Sequence, residues 1–304
     1  MKTTVSLVLG SGGARGYAHV GVIEELERRG YEVICIAGSS MGALVGGVYA
    51  CGRLGDYRDW VTSLSWMDVF KLMDVTLRGE GTIRGERLLA KLREIVGNPM
   101  IEDLPISYTA VSTDITHQKE VWFQNGSLLD AIRASIAVPG FFTPVIEDDR
   151  ILLDGGVLNP IPIIPTVAAH ADLIIAVDLN AEAQQVKINL PDTQYLNRSG
   201  FSDEWNADTA SGKQVQADAV ENSRPNGNGN SKATGRIDIL LSAVEVMQES
   251  LGKYKVAGYP PDLLVGIPKD ACRFYEFHRA AEMIELGREI TRKQMERLES
   301  SRLR

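Results

Sequence analysis

Two short apolar runs constrain the N-terminal part of the chain more than any other feature. VSLVLG (5–10) and VICIAG (33–38) are short, predominantly apolar runs and each is stopped by glycine, as strands buried on both faces are. After the first, Ala18, Val22, Ile23 and Leu26 recur at helical spacing, with Glu24, Glu25, Glu27, Arg28 and Arg29 on the other side and Gly30 closing the segment. After the second, 41–51 reads as a helix. Strand, helix, strand, helix in quick succession is a βαβα opening. It predicts an α/β chain with a parallel central sheet covered by helices on both faces.

The same pattern continues downstream. Strands are expected at 106–113, 119–124, 151–156, 173–179 and 261–267, and helices at 85–96, 127–137, 237–251 and 274–303. Between 181 and 235 Asn, Gln, Ser, Asp and Gly dominate, NGNGNS is low in complexity, and apolar periodicity disappears. That stretch is expected to be a disordered or low-complexity insert. The organisation expected is one domain over 1–304, interrupted by the insert, with 237–304 packing on the core. In 60–77, Trp66, Phe70 and Met73 fall at i, i+4 and i+7, with Trp60, Leu64 and Met67 at similar spacing. Core packing is favoured there over an acyl groove or a lid.

A net charge of −8 argues against nucleic acid, which needs a basic face. Three widely spaced cysteines without a CxxC pair point away from zinc and disulfides and toward a reducing compartment. The first apolar run is too short for a signal-peptide core, and no stretch approaches the ~18 apolar residues of a spanning helix. The expected location is cytoplasmic.

The first strand leads into Gly10-Ser-Gly-Gly-Ala-Arg-Gly16, which opens a helix. Backbone N–H groups in that context hold anions. A dinucleotide fingerprint counted from Gly10 needs glycine where Arg15 stands, and a P-loop needs Gly-Lys-Ser/Thr, which is absent here. What remains is an oxyanion cradle for acyl transfer.

The second strand leads into Gly38-Ser39-Ser40-Met41-Gly42, a G-x-S-x-G match centred on Ser40. Such spacing suits a sharp strand-to-helix turn: Gly38 and Gly42 relieve crowding, the serine is lifted to the helix start, and the Met41 N–H can face an oxyanion. Ser39 lacks the flanking glycines in that register. On the motif alone, a nucleophile and a plain glycine-rich turn with a capping serine stand level.

A base is harder to find. His19 shares a helical face with Val22, Ile23 and Leu26 and suits a buried structural role. His117 sits in a hairpin turn, His170 at a helix end, and His278 on the terminal helix, far from the other motifs. Asp154 ends an apolar strand before Gly155 and Gly156, at the strand end where sites form in open α/β sheets. An Asp-Gly turn of no function has the same look.

Three motifs in order, LVLGSGGARGYAHVGVIEELERRG, then GSSMG, then DGG, together with RASIAVPGFFTPV (133–145), resemble the patatin-like phospholipase family. Its bacterial cytosolic members and the catalytic domain of neuropathy target esterase look most similar. The resemblance covers 5–180 well and 237–300 less closely. It implies a three-layer α/β/α patatin-like fold and a serine hydrolase of fatty-acyl esters, of phospholipids or lysophospholipids, without metal or other cofactor. It further implies a Ser-Asp dyad, carried here by Ser40 and Asp154, and oxyanion donors at Gly12, Gly13 and Ala14. Arg15 and Gly16 belong to the same loop, where Arg15 adds positive potential or pairs with an acid. Ser11 stands where relatives often have glycine. Without imidazole, burial has to raise the Asp154 pKa for it to act as a base. The partners implied are a lipid or acyl-ester substrate and, at most, peripheral membrane contact. A regulatory or scaffolding protein with a weak or vestigial site is the competing expectation.

Overall fold

The apolar runs enter one eight-stranded sheet. The computed structural model describes residues 2–72, 84–182 and 236–302. Its strands are β1 (Thr4–Leu9), β2 (Glu32–Ser39), β3 (Ser107–Asp114), β4 (Lys119–Phe123), β5 (Val145–Glu147), β6 (Arg150–Asp154), β7 (Leu173–Ala181) and β8 (Leu263–Pro268). Its helices are α1 (Ala18–Arg28), α2 (Met41–Ala50), α3 (Leu54–Ser63), α4 (Trp66–Leu72), α5 (Glu86–Val96), α6 (Leu128–Ser135), α7 (Arg236–Gly258) and α8 (Ala280–Arg302).

The sheet runs β5-β6-β3-β2-β1-β7-β8, with β4 added on β3. Strands β3, β2, β1, β7 and β8 are parallel, and β4, β5 and β6 are antiparallel additions. Side chains of β1 alternate between two apolar layers. Val5, Leu7 and Leu9 meet residues of α1, α2 and α8, whereas Val8 meets Ile161, Ile163 and Ala176, with Val256 of α7 beside them. All four are fully buried, each worth roughly 1.5–3 kcal/mol. The expected α/β/α layering follows.

Register fixes the part of the sheet that matters most. β4 pairs with 110–114 of β3 and fills one edge. β2 pairs with 107–111 and β6 with 112–114, so both lie along the opposite edge. β2 is parallel to β3 and β6 antiparallel to it, so their C-terminal ends face each other. Ser39 lies opposite Val111 and Asp154 opposite Ser112, one step apart.

Three expectations change. Trp66, Met67 and Phe70 of α4 are exposed, Trp66 by 63% and Phe70 by 58%, and the two rings stack on each other. Only Val69 of that helix is buried, so core packing is not their role; Met73 lies outside the described residues. The terminal helix begins at Ala280 rather than at 274, because Phe274 is buried against Val138 and Leu241 and its carbonyl is taken by the Ala14 N–H. β7 extends through Ala181, the first residue of the expected insert; 183–235 lie outside the described residues.

Candidate active site

Ser40 stands at the junction of β2 and α2 with φ 56° and ψ −125°, a backbone region that a residue with a Cβ rarely occupies. Holding it costs on the order of 1–3 kcal/mol, and such strain persists only where the surroundings impose it. They do so here through two serines. The Ser40 N–H donates to Ser135 Oγ at 2.9 Å, and the Ser135 hydroxyl donates to the Val111 carbonyl at 2.6 Å. The Ser39 hydroxyl donates to the Asn159 carbonyl at 2.6 Å, tying the elbow to the chain beyond Asp154. Met41 opens α2, so its N–H is one of the amides a helix start leaves without an internal acceptor.

Asp154 reaches the same place from the opposite direction. Its carboxylate is buried; Oδ1 accepts the Gly156 N–H at 2.7 Å, and Oδ2 has no hydrogen-bond partner among the described residues. Burial pushes its pKa up to about 7, against the pull of the nearby Ser40 hydroxyl and the Gly156 N–H. A carboxylate of that pKa, beside a serine, is poised to take a proton near neutral pH. Gly155 allows the close approach: a Cβ there would lie 2.1 Å from the Val111 carbonyl oxygen. Open parallel sheets place sites at strand C-termini, but β6 is antiparallel, so Asp154 arrives by the end-to-end meeting of β6 with β2 instead.

The glycine loop lies beside both residues. The Gly10 and Ser11 N–H groups donate to the Val177 and Pro160 carbonyls, at 3.0 and 2.9 Å. The Ala14 N–H donates to Phe274 O at 2.9 Å. Ala14, expected as an oxyanion donor, is thereby committed elsewhere. The Gly12 and Gly13 N–H groups have no acceptor among the described residues. Gly16 packs on Met41, where a Cβ would come within 2.3 Å of the methionine Cβ. Arg15 takes the second of its two expected roles: its guanidinium is paired with Glu245 at 2.7 Å.

A cavity of about 40 Å³ has Gly13, Ser40 and Met41 in its lining, with Leu44, Val138, Phe141, Phe142 and Phe274 among its apolar walls. His19 is fully buried with Nε2 2.9 Å from the Gly10 carbonyl, and burial pushes its pKa down to about 4. It is neutral and holds the start of the loop. His117 contacts Asp114 and Asp149, and His170 is exposed. His278 is not on the terminal helix but in the short turn before it, next to Phe277, a residue of the cavity wall. Among the described residues no cluster of three His, Cys, Asp or Glu could hold a metal ion.

Ser135 belongs to the stretch RASIAVPGFFTPV that carries the family resemblance, but nothing in the sequence points to its partners, since Ser40 and Val111 come from separate parts of the sheet. Ser135→Ala leaves the buried Ser40 N–H and one bond to Val111 unmade. Chemical denaturation is expected to show a loss of about 1–3 kcal/mol.

A family model described as patatin-like phospholipase matches residues 7–167, the span from β1 past the DGG turn. An uncharacterized NTE family protein of Mycobacterium tuberculosis is 40% identical over 332 residues, covering 97% of this chain and 92% of that protein. Lysophospholipase NTE1 of Scheffersomyces stipitis is 36% identical over 197 residues, which cover 62% of this chain and 12% of that much longer protein. Human patatin-like phospholipase domain-containing protein 6 is 32% identical over 186 residues, 59% of this chain and 14% of its own length. Among solved structures, VipD from Legionella pneumophila superposes with a TM-score of 0.48 at 14% identity, over 97% of this chain and 67% of that one. On the family model and the near full-length mycobacterial relatives, the chain belongs to the patatin-like phospholipase family of hydrolases.

Proposed function

We propose that this chain hydrolyses fatty-acyl esters of phospholipids or lysophospholipids, with Ser40 as nucleophile and Asp154 as base. The observation that carries the proposal is the end-to-end meeting of β2 and β6 on one edge of β3. It brings a strained serine and a buried carboxylate with one unpartnered oxygen to one site, beside an apolar cavity with Ser40 in its lining.

The chemistry follows from the groups present. Asp154 Oδ2 accepts the Ser40 proton as Oγ adds to the ester carbonyl. The N–H groups of Gly12, Gly13 and Met41 stabilise the tetrahedral oxyanion, a contribution worth about 100- to 1,000-fold per donor in comparable sites. Asp154 returns the proton to the departing alcohol, leaving an acyl group on Ser40. A water then repeats the sequence, with Asp154 as its base, and releases the fatty acid.

The lysophospholipase name of the yeast relative supports a lipid ester as substrate. Exposed Trp66, Met67 and Phe70 support peripheral contact with lipid, and no described helix is long and apolar enough to cross a membrane. All three cysteines are free, which supports a reducing, cytoplasmic setting. The single-domain organisation of 1–304 is part of the same proposal. A vestigial scaffold gains nothing from the strain at Ser40, which a relaxed turn would relieve.

The test is hydrolysis of p-nitrophenyl esters of graded chain length and of a lysophospholipid by wild type and Ser40→Ala. Turnover by wild type and a loss of at least ~1,000-fold in Ser40→Ala are expected. Full activity in Ser40→Ala removes Ser40 from the mechanism.

A further inference from the structure

Ser11, just before the free amides of the glycine loop, and Arg15, two residues after them, are both held by one helix. Ser11 Oγ donates to Gln248 Oε1 at 3.3 Å, and Arg15 Nη2 donates to Glu245 Oε1 at 2.7 Å. Glu245 and Gln248 are three apart on α7 and so lie on one face of it. Gly12 and Gly13, whose N–H groups are left unpaired, sit between these two attachments. Glycines have no side chain with which to anchor themselves.

Gln248 is buried and touches a second part of the site. A Cβ on Gly156 would lie 2.5 Å from Gln248 Nε2 and 2.5 Å from Ser11 Oγ. One side chain of α7 therefore fills the space between the glycine loop and the turn after Asp154. Arg15 is locked from other sides as well. Its guanidinium reaches Asn180 Oδ1 and the carbonyls of Lys269 and Cys272, each at 3.1 Å. Asn180 Nδ2 in turn donates to the Ser11 carbonyl at 3.3 Å.

We propose that α7, through Glu245 and Gln248, is a positioning element of the oxyanion hole: it clamps Arg15 and Ser11 and so sets where the Gly12 and Gly13 amides point. The proposal rests on the Ser40–Asp154 reading. Oxyanion donors act only when they lie within about 2.7–3.1 Å of where the oxyanion forms, and a displacement of about 1 Å can cost roughly 100-fold in rate. Neither Glu245 nor Gln248 touches the reacting atoms; each acts through a loop residue.

An alternative role for the same pair makes the opposite prediction. If Arg15 served mainly through its charge, Glu245 would be quenching it, and Glu245→Gln would raise the rate. A clamp predicts a fall. The experiment compares wild type, Glu245→Gln, Gln248→Ala and the double variant. It uses p-nitrophenyl butyrate for kcat and KM, a trifluoromethyl ketone whose hemiketal oxyanion occupies the hole, and butyrate as a product inhibitor. Thermal melting checks the fold, and Glu245→Asp, which keeps the carboxylate, is the conservative control.

The expected result is a fall in kcat of ~10-fold for each single variant and more for the double, with KM within about twofold. Ketone affinity should fall in parallel with kcat/KM, as for a transition-state analogue, while butyrate inhibition stays unchanged and Glu245→Asp recovers part of the loss. Should Glu245→Gln fail to fold, Gln248→Ala alone decides. Folded variants with unchanged or raised kcat, or with losses confined to KM, overturn the clamp. A wild type with no ester turnover overturns the Ser40–Asp154 reading, and the clamp falls with it.

Discussion

Asp154→Asn is expected to lose roughly 1,000- to 10,000-fold in ester turnover, the scale on which triads respond to the same change, while becoming more stable than wild type above neutral pH. Both effects come from one fact. A carboxylate enclosed on all sides, with one oxygen unpartnered, has its pKa pushed up to about 7 by burial. The folded state holds that proton more tightly than the unfolded chain, whose aspartate titrates near 3.8. Stability is therefore unaffected by this group below about pH 4, declines as pH rises toward 7, and carries the full penalty above it. That penalty is on the order of 4 kcal/mol. Asparagine keeps an acceptor for the Gly156 N–H and removes the charge. Denaturation of wild type and Asp154→Asn across pH 4–9 should show curves that coincide at the acid end and separate toward pH 7. Wild-type kcat/KM should rise through the same interval to a plateau, because only the charged form can act as base. Parallel stability curves at every pH would mean that Asp154 is not held in this environment.

Gly42→Ala is expected to prevent accumulation of folded protein, or to cost at least ~4 kcal/mol. A Cβ at this position would lie 2.0 Å from the Leu9 carbonyl oxygen and 2.5 Å from the Leu9 carbonyl carbon. Those are backbone atoms of a fully paired strand, so no rotamer change relieves the clash. The same contact sets the site, since Leu9 is the last residue of β1 before the glycine loop and Gly42 is two residues past Ser40. Helix α2 can lie against β1 only without a side chain here, and that approach sets the spacing between nucleophile and oxyanion donors. Soluble yield and chemical denaturation of Gly42→Ala check this. A variant with wild-type stability and kcat would contradict it.

What the sequence reveals depends on how local the physics is. The first two strands and α1 were legible because buried parallel strands are continuously apolar and α1 shows helical periodicity along its whole length. Ser40 was legible as a candidate because the turn that lifts it needs small residues at fixed offsets. Asp154 was legible as a strand-end candidate, but its pairing with Ser40 came only through resemblance: that approach is set by the antiparallel register of β6 on β3, which no short pattern encodes. Ala14 was misjudged for a related reason. Its N–H is claimed by the carbonyl of Phe274, far away in sequence, and backbone competition of that kind leaves no mark on residue type. Ser135 heads a recognisable Ser-x-x-x-Pro-x-x-Phe-x-Pro spacing in 133–145, but that spacing says nothing of its hydrogen-bond partners, and Gln248 is a lone amide with no recognisable spacing. Trp66 and Phe70 were misread because a helix stripe has the same period whether it faces a core or solvent.

Fluorophosphonate labelling of the full chain, with the modified peptide located by mass spectrometry, tests most directly whether Ser40 is the nucleophile. One label per chain is expected, on Ser40, slow in Asp154→Asn and absent in Ser40→Ala. Labelling at any other residue, or ester turnover by a wild type that takes no label, would contradict it.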